Sequence, residues 1–424
     1  MILIKGGTLI NPKTETMTRM DVLIENERIY KIGTFHISEL ENIEHLVTMD
    51  ATGLYLSPGF IDLHVHLREP GFEQKETIYT GSRACAKGGY TTVFCMPNTK
   101  PALDSPATIQ RLREIINRDA VMDIVPVGAI TENIEGKTLT DQKSLINAGV
   151  KALSDDGRTT MNAAFMKKTF EFSRQFNIPI FTHSEDHDIT KSYTDQPFPI
   201  EAESNIIKRD LDICHSTNGI LHVSHVSSAE AIMAIEAAKQ NGVDVTCEVA
   251  PHHFALNSDM VDMKSPYSKV NPPIRDKYNQ ERIIEAIRNK SIDVIATDHA
   301  PHDFDSKNCA YEDASFGISG IESAFTVSYT TLVEGGVIGV MDLIAMLSYR
   351  PSIIGRLTEV GSIEPGYFAN LVFLDLQSHI KIDRNTFISK GKNTPFHGFE
   401  GVGEVVMTLF KGEVIYEKNR EGSI

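Results

Sequence analysis

The chain has 424 residues, with 41 basic and 57 acidic side chains and a formal net charge of −16. This length allows two or three ordinary domains, or one large barrel with an appendage. The acidic balance, without a local basic patch, disfavours partners that present a phosphate backbone or an anionic membrane surface. A hydrophobic content of 41% and a charged content of 23% are typical of a folded globular chain and exclude disordered and collagen-like classes.

The five cysteines are far apart, and none forms a C-x-x-C pair. This pattern disfavours both a disulfide framework and a thiolate zinc site. Residues 1–15 lack the unbroken apolar segment of a signal peptide, and no stretch approaches the roughly 18 apolar residues of a membrane span. We therefore expect a reduced, cytoplasmic protein.

Short runs rich in β-branched and aromatic residues alternate with helix-length amphipathic segments between residues 54 and 302. The eight runs are 56–66, 91–98, 122–130, 150–156, 178–185, 220–227, 243–253 and 292–302. Segment 229–242, for example, places four apolar residues on one helical face and ends in a glycine. Eight apolar strands alternating with helices predict an α/β fold, specifically a (β/α)8 TIM barrel. A doubly wound open sheet is the competing interpretation, but it does not explain eight repeats.

The two ends of the chain have a different pattern. Residues 1–53 and 366–417 contain short alternating runs that predict small antiparallel strands. Neither end alone supplies a core, so we expect them to pair. The predicted domains are a small β-sandwich-like domain, formed by 1–55 plus 361–424, and the barrel, formed by 56–360.

Five of the eight runs end in imidazole or carboxylate groups. These groups are His64 and His66, Asp155 and Asp156, His183, His222 and His225, and Asp298 and His302. Barrel enzymes carry their chemistry at the carboxyl ends of the strands. The period of two along a strand directs His64 and His66 to the same face. The set exceeds what one zinc ion needs, which predicts two metals bridged by a carboxylate.

Several motifs resemble the amidohydrolase superfamily and, within it, the bacterial class I dihydroorotases. They are DLHVHLREPG (62–71), MPNT (96–99), SDDG (154–157), FTHSE (181–185), HVSHVS (222–227), PHHF (251–254), NPP (271–273), ATDHAPH (296–302) and SFGISGIE (315–322). The resemblance extends to ANLVFLDL and KGKNTPFHG near the end of the chain. It implies a binuclear zinc enzyme of pyrimidine (UMP) biosynthesis that interconverts N-carbamoyl-L-aspartate and (S)-dihydroorotate.

The resemblance also implies the ligands of the two zinc ions. His64, His66 and Asp298 would bind one ion, His183 and His225 the other, and Asp156 would bridge them. The choice of Asp156 over Asp155 rests on the resemblance, because alternation says only that the two side chains cannot both point inward. Hydantoinase-like relatives use a carboxylated lysine as the bridge. Lys151 lies too early in its strand for that role, so we interpret it as a structural lysine.

The chemistry expected from this site is hydrolysis of a ring amide. Two Lewis-acidic cations would generate a hydroxide nucleophile, and Asp298 would act as general base and then as general acid. The substrate carboxylate would be bound by Arg68, whose planar guanidinium suits bidentate binding. The resemblance adds further substrate contacts: His66, Asn98, Asn271, His302, Phe316 and Gly317.

The remaining histidines near these motifs, His222, His252, His253 and His299, are interpreted as supports for the metal ligands or as packing residues. The polar segment 303–315 lies between a strand end and a predicted substrate contact. It is either a mobile lid or an ordinary surface loop, and the sequence does not separate the two.

Two alternatives to a dihydroorotase stay open. One is another cyclic-amide hydrolase of the hydantoinase, dihydropyrimidinase or allantoinase type, although such relatives normally keep the bridging lysine and lack the Arg68–Asn98 pairing. The other is a non-catalytic subunit that holds aspartate transcarbamoylase, although such proteins lose metal ligands and this chain retains all of them. The resemblance also implies a homodimer, and an active enzyme could itself associate with aspartate transcarbamoylase.

Overall fold

The computed structural model describes residues 1–36, 45–193 and 198–418. Seventeen strands are described: β1 Ile2–Lys5, β2 Thr8–Asn11, β3 Thr16–Arg19, β4 Asp21–Glu25, β5 Arg28–Gly33, β6 Val47–Asp50, β7 Tyr55–Pro58, β8 Phe60–Val65, β9 Tyr90–Cys95, β10 Asp123–Pro126, β11 Ile180–Thr182, β12 Leu221–Val223, β13 Val245–Val249, β14 Val294–Ile295, β15 Leu371–Lys381, β16 Glu400–Phe410 and β17 Glu413–Glu417. Twelve α-helices accompany them: α1 Ile78–Lys87, α2 Pro106–Asp119, α3 Gln142–Asn147, α4 Ala163–Phe176, α5 His187–Thr190, α6 Ile200–Thr217, α7 Ala229–Gln240, α8 Pro251–Ala255, α9 Lys277–Arg288, α10 Ala324–Ser328, α11 Val340–Ile344 and α12 Arg350–Ile354.

The middle of the chain forms a closed ring of parallel strands. One part of the ring has the order β10-β9-β8, and the other has the order β11-β12-β13-β14. Leu153 joins them on one side through parallel bridges to Gly128 and Ile180, and a bridge between Val65 and His299 closes the other side. With helices between successive strands, this arrangement confirms the predicted (β/α)8 barrel.

The fourth position of the ring differs from the sequence expectation. Run 150–156 was predicted as a strand, but only Leu153 bridges its neighbours, and no regular strand forms there. The backbone is still held in place, because Gly128 N–H donates to the Ala152 carbonyl and Phe181 N–H donates to the Leu153 carbonyl. The chain then turns at Asp155 and Asp156, at the mouth of the barrel.

The helix boundaries follow local sequence signals. Thr77 and Thr80 form a capping box at the start of α1, and Ser105 and Thr108 form another at the start of α2. In α7 the four apolar residues predicted to share a face, Ala231, Ile232, Ile235 and Ala238, are buried. Sequence periodicity therefore fixed which face packs on the barrel.

The chain ends build two further sheets, with the orders β5-β4-β1-β6 and β17-β16-β15-β7-β2-β3. The pairing of β15 with β7, in which Leu371 faces Pro58, joins a late segment to an early one. The sequence predicts antiparallel strands in this region, but not every pairing is antiparallel. β1 with β6 and β2 with β7 are parallel.

A separate apolar cluster lies in this region, with residues from both ends of the chain. Its members are Ile4, Leu9, Val22, Ile24, Ile29, Ala51, Leu56, Ile363, Ala369, Leu371, Phe373 and Leu409. Burial of apolar surface from both ends explains why neither end needs a core of its own. All five cysteines are free thiols; four are buried and Cys309 is exposed. No helix in the described part of the chain is long and apolar enough to cross a membrane.

Candidate metal centre and active site

A cavity of about 160 Å³ opens at the carboxyl ends of the barrel strands. Ten of the twelve predicted site residues line it: His66, Arg68, Asn98, Asp156, His183, His225, Asn271, Asp298, Phe316 and Gly317. The other two, His64 and His302, lie directly behind this lining and contact it. Residues that are up to 250 positions apart in sequence therefore meet in one small space.

His64, His66, Asp156 and Asp298 form the first half of a buried polar cluster. His64 Nε2 lies 3.2 Å from Asp156 Oδ1 and 3.6 Å from Asp298 Oδ1. His66 Nε2 lies 3.1 Å from Asp298 Oδ1 and 3.4 Å from Asp156 Oδ2. Two sets, His64–Asp156–His225 and His64–His66–Asp298, each bring three ligand atoms within 4.8 Å of one another.

His183 and His225 form the second half of the cluster. His183 Nδ1 and His225 Nε2 are 2.9 Å apart, and they lie 3.8 Å and 3.9 Å from Asp156 Oδ1. Asp156 is thus the one carboxylate that faces both pairs of histidines within the described residues. Its position between the pairs is the position that a bridging ligand requires.

The charges in the cluster are strongly coupled. Burial would raise the pKa of Asp156, but the neighbouring imidazoles, His64 first among them, hold it well below its usual range. Burial would also raise the pKa of Asp298, but a hydrogen bond from His66 and the charge of His64 keep it low. Burial and the nearby His183 and His64 lower the pKa of His225 to about 3. Both carboxylates are therefore anionic acceptors at neutral pH, as metal ligation requires.

The donor set fits a divalent transition metal. His64 Nε2 and Asp156 Oδ1 are buried and face each other, yet neither makes a hydrogen bond. Buried polar atoms without partners are rare, because leaving them unpaired costs about 1–3 kcal/mol each. Imidazole nitrogens together with carboxylate oxygens are the ligands that zinc prefers. The cluster is therefore a candidate site for such a cation.

Asp155 is turned away from the cluster. Its Oδ1 accepts hydrogen bonds from the N–H groups of Ile130 and Thr131, and its Oδ2 accepts from the hydroxyls of Thr131 and Thr160. These four bonds occupy the carboxylate fully. The ambiguity that alternation left between Asp155 and Asp156 is therefore resolved by the two threonines, which no spacing rule singles out.

Lys151 also lies outside the cluster. Its side chain is exposed, and its Nζ lies 3.5 Å from the carbonyl oxygen of Arg356, at the opposite end of the barrel from the cavity. A carbamate on this lysine could not reach the histidines. The position agrees with the interpretation of Lys151 as a structural residue.

Glu248 is a buried support that sequence patterns did not indicate. Its Oε1 accepts from His64 Nδ1 at 2.7 Å, and its Oε2 accepts from His222 Nε2 at 3.0 Å. Although burial opposes ionisation, the charge of His64 and these hydrogen bonds lower the pKa of Glu248 to about 2. A carboxylate on Nδ1 fixes His64 in the tautomer whose Nε2 is free to bind a metal. The only available signal was a carboxylate inside an otherwise apolar strand run.

Asp62 and Glu185 are two further carboxylates that support the cluster. Asp62 is buried under the cluster and accepts from Thr297 N–H and from the Thr297 hydroxyl, which ties the first strand of the barrel to the last. Glu185 lies 3.4 Å from His183 Nε2 and accepts from Asn271 Nδ2 at 2.8 Å. It links a predicted metal ligand to a predicted substrate contact.

Three predicted site residues other than glycine have a backbone in the left-handed region. The φ angles are +63° at Arg68, +34° at His225 and +46° at Asp298. Non-glycine residues rarely adopt this conformation, and it costs of order 1 kcal/mol or more. Surrounding contacts hold these residues there, and the effect is to turn their side chains into the barrel mouth.

Arg68 is the main cation in the cavity wall. Its Nε donates to the Pro301 carbonyl at 3.1 Å, and burial lowers the pKa of its guanidinium to about 10, so it stays charged. Within residues 1–36, 45–193 and 198–418, no carboxylate lies within ion-pair distance of this group. A partly buried guanidinium without a carboxylate partner has the chemistry to bind an external anion.

His302 is held in one neutral form beside Arg68. Its Nε2 lies 2.7 Å from the Phe316 carbonyl, so this nitrogen carries the hydrogen, while Nδ1 accepts from Lys75 Nζ at 3.1 Å. Burial, together with Arg68 and Lys75, lowers the pKa of His302 to about 2. Arg68 Nη2 lies 3.3 Å from His302 Nε2, but this ring nitrogen carries a hydrogen and offers no lone pair to the guanidinium. The terminal nitrogens of Arg68 therefore remain available.

The other predicted substrate contacts surround this group. Asn98 Oδ1 accepts from His66 Nδ1 at 2.9 Å, and Asn98 Nδ2 donates to Asp156 Oδ2 at 3.4 Å. Phe316 and Gly317 form another part of the cavity wall, next to His302. Of the four histidines interpreted as supports or packing residues, His222 Nε2 donates to Glu248 and His253 Nε2 donates to the Pro272 carbonyl.

Segment 303–315 is attached to the neighbouring loop by two lysines. Lys307 Nζ donates to the carbonyls of Pro266 and Lys269, and Lys269 Nζ donates to the carbonyls of Tyr311 and Glu312. These bonds hold the segment against the cavity wall in this structure. They leave both interpretations, lid and fixed surface loop, open.

Comparison with known proteins agrees with this architecture. The amidohydrolase family model matches residues 55–415. A dihydroorotase from Thermoanaerobacter sp. (strain X514) is 38% identical over 433 residues, which cover 99% of this chain and 98% of the relative. A dihydroorotase from Bacillus cytotoxicus is 38% identical over 427 residues, with 98% of each chain covered.

Solved structures show the same fold. The L-hydantoinase of Arthrobacter aurescens superimposes with a TM-score of 0.91 at 23% identity, over 99% of this chain and 96% of the other. The D-hydantoinase of a Bacillus sp. AR9 gives a TM-score of 0.87 at 26% identity, over 98% and 95% of the two chains. These neighbours establish the barrel with an attached β-region.

The chain belongs to the amidohydrolase family. Enzymes of this family are typically metal-dependent hydrolases, and the two His and Asp groups described above are the candidate metal ligands. Within the family, the resemblance to the dihydroorotases is confirmed by relatives that carry that name and match nearly the whole chain.

Proposed function

We propose that the protein is a dihydroorotase, which interconverts N-carbamoyl-L-aspartate and (S)-dihydroorotate in pyrimidine biosynthesis. Relatives with this name at 36–38% identity over nearly the full chain support the assignment. The cavity supports it independently, because a small polar cavity lined by imidazoles and carboxylates suits a small polar substrate rather than a polymer.

The observation that carries the proposal is the unpaired guanidinium of Arg68. Both substrates are anions, because the α-carboxylate of N-carbamoyl-L-aspartate is retained in dihydroorotate when the side-chain carboxylate becomes the ring amide carbonyl. A neutral ring, such as a hydantoin or a dihydropyrimidine, would leave this partly buried cation without a partner, which is costly. The charge of the cavity wall therefore favours a carboxylated ring over the neutral rings of the alternative cyclic-amide hydrolases.

For the metals, we propose two zinc ions. His64, His66 and Asp298 would hold one, His183 and His225 would hold the other, and Asp156 would be shared. The distances around Asp156 support a shared carboxylate, and the orphaned atoms His64 Nε2 and Asp156 Oδ1 support occupancy. Zinc at this site supplies Lewis acidity, which activates water as a nucleophile at neutral pH.

The chain's own groups would do the rest of the chemistry. The carboxylate of Asp298 accepts the proton of the attacking water and delivers it to the ring nitrogen that leaves. Asp298 is ionised at neutral pH, so it has a lone pair free to accept the proton, and its position on the cavity wall brings it to the ring nitrogen. Arg68 and Asn98 would bind the substrate carboxylate, which places the ring amide over the metal ligands.

Further contacts are proposed around the ring. His66, Asn271, Phe316 and Gly317 line the cavity, and His302 lies behind Phe316, to whose carbonyl its Nε2 donates. Closely placed backbone groups at Phe316 and Gly317 can hydrogen-bond a planar ring edge. A non-catalytic scaffold has no need for a complete ligand set and an unpaired cation, so we rank that alternative below the enzyme.

The organisation of the molecule adds further proposals. We propose the division into a β-domain (1–55 plus 361–424) and a barrel (56–360), a homodimer, association with aspartate transcarbamoylase, and a cytoplasmic location. Size-exclusion chromatography with light scattering, on the protein alone and mixed with that enzyme, tests the homodimer and the complex.

The decisive test of the substrate is a pair of ring amides. The zinc-loaded protein should hydrolyse dihydroorotate and should have little activity on dihydrouracil, which lacks the carboxylate. Arg68→Ala should reduce the preference for dihydroorotate over dihydrouracil, because the variant no longer binds the substrate carboxylate. Equal turnover of both rings by the unaltered protein would contradict the proposal and favour a dihydropyrimidinase.

A further inference from the structure

A segment remote in sequence contacts the cavity wall on the side away from the metal ligands. It comprises residues 388–394, between β15 and β16, and we refer to it as the 388–394 strap. Gly391 is its point of closest approach, because a methyl group there would lie 2.5 Å from Pro301 Cβ and 2.6 Å from Ser319 Oγ. The strap therefore packs directly on the two loops that carry His302 and Gly317.

Asn393 makes the polar contacts of the strap. Its Nδ2 donates to the carbonyls of Ala300 at 3.0 Å and Gly317 at 2.9 Å. Its Oδ1 accepts from His302 N–H and from the Ser319 hydroxyl, both at 2.9 Å. The side chain is buried, so all its hydrogen-bonding capacity is directed at these two loops.

The loops that Asn393 joins also bond each other directly, since Ala300 N–H donates to the Ile318 carbonyl at 2.9 Å and His302 Nε2 donates to the Phe316 carbonyl at 2.7 Å. Asn393 adds the bonds to the Ala300 and Gly317 carbonyls. Gly317 has a φ of +140°, and an added Cβ would lie 2.7 Å from the Ala300 carbonyl oxygen, so the two loops are in close contact. Two carbonyl oxygens facing each other repel, and Asn393 bridges them with one amide group. Its removal would leave buried carbonyls without a donor, which favours separation of the loops.

We infer that Asn393 is a positioning residue, which sets the distance between His302 and the Phe316–Gly317 wall and so shapes the part of the cavity that binds the substrate ring. This inference rests on the proposed function, since it assigns the ring to that wall. Asn393 touches no metal ligand, and its effect should therefore fall on substrate binding and spare the metal centre.

The strap has a second anchor that supports this role. Ser389 donates to Glu76 Oε2 at 2.5 Å, and Ser389 N–H donates to Glu322 Oε1 at 3.0 Å. Glu76 belongs to the same loop as Lys75, which holds His302 Nδ1. The strap thus fixes His302 from its backbone, through Asn393, and from its ring, through the Lys75 loop.

The test compares Asn393→Ala with Asn370→Ala in the zinc-loaded protein. Asn370 is a matched control, because it is a buried asparagine that accepts from Lys411 N–H, far from the cavity. Asn393→Ala should raise KM for dihydroorotate about tenfold, because separation of the two loops reshapes the wall that binds the ring, with zinc content and kcat per folded molecule nearly unchanged. Asn370→Ala should leave KM unchanged.

Hydrogen–deuterium exchange read by mass spectrometry gives a readout that does not depend on turnover. Peptides covering 300–303 and 316–320 should exchange faster in Asn393→Ala but not in Asn370→Ala. Unchanged KM and unchanged exchange would overturn the inference, as would a loss of kcat that tracks the folded fraction at constant KM. If Asn393→Ala does not fold, Asn393→Asp, which keeps the acceptor oxygen, takes its place with the same criteria.

The two measurements separate this inference from the proposed function. Absence of dihydroorotate turnover in the unaltered protein would overturn the function. The exchange data would still decide whether Asn393 couples the two loops.

Discussion

Replacing Glu248 by glutamine should weaken zinc binding, although Glu248 touches no metal position itself. The glutamine side chain has nearly the same volume but offers one acceptor and one donor in place of two acceptors. Glu248 now accepts from His64 Nδ1 and His222 Nε2, so one of these N–H groups would face the new NH₂ group. Either His64 loses its fixed tautomer or a buried donor is left unpaired.

The size of the effect follows from the role of Glu248 as the carboxylate behind a metal-ligating histidine. Loss of such a partner costs about 10- to 100-fold in metal affinity, which is about 1.4–2.7 kcal/mol.

The assay is competition for zinc between the apoprotein and a chromophoric chelator. Glu322→Gln is the matched control, because Glu322 is equally buried but pairs with Lys87 and with backbone N–H groups of the 388–394 strap. Only Glu248→Gln should lose zinc affinity. Equal zinc affinities in Glu248→Gln and the unaltered protein would refute the reasoning that the carboxylate orients His64.

Three further changes probe the catalytic carboxylate, the substrate anion site and the buried lysine. Asp298→Asn should lower kcat for dihydroorotate by about 10²- to 10⁴-fold, since the amide cannot carry the proton; steady-state assays check this, and retention of most activity would contradict the role. Arg68→Ala should raise KM about 10- to 100-fold through loss of a charge-assisted contact, with circular dichroism confirming the fold, and an unchanged KM would refute it. Burial and the charge of Lys269 lower the pKa of Lys307 from 10.5 to about 7. Between pH 7 and pH 10.5 the unfolded chain therefore binds more protons than the folded chain, so the free energy of unfolding should rise with pH. Denaturant titrations should show this increment in the unaltered protein and its loss in Lys307→Met; identical pH dependence in both would contradict the assigned pKa.

The barrel was predictable because its signals are local and repeated. Eight apolar runs, helix-period faces such as that of α7, and polar residues at strand ends each follow from simple periodicities. Run 150–156 was the exception: its strand forms only a bridge at Leu153, because the chain turns there to present Asp155 and Asp156. Periodicity does not report how many residues of an apolar run pair with their neighbours.

At the chain ends, the pairing direction was the part that sequence did not give. The antiparallel expectation held for hairpins such as β2–β3, whose partners are adjacent in sequence. The parallel pairs β1–β6 and β2–β7 join segments some 40 residues apart. Alternating apolar residues indicate that a strand has a buried face but carry no information about its partner.

The cavity was predictable where residues lie in motifs, and its supports were not. His64, His66, His183, His225, Asp156 and Asp298 all meet at the barrel mouth. Glu248 and Asn393 act through contacts with residues 184 and 91 positions away. Asn393 does lie in the KGKNTPFHG segment, but the sequence assigns it no role there. Such supports are defined by tertiary contacts, so only the folded chain reveals them.

The central claim, a zinc-dependent dihydroorotase, is tested most directly by adding zinc back to the chelator-treated protein while dihydroorotate hydrolysis and bound metal are measured together. The account predicts no turnover without metal, and turnover that rises with zinc to a plateau at two ions per chain. Full zinc occupancy without hydrolysis of dihydroorotate, or hydrolysis that persists after the metal is removed, would contradict it.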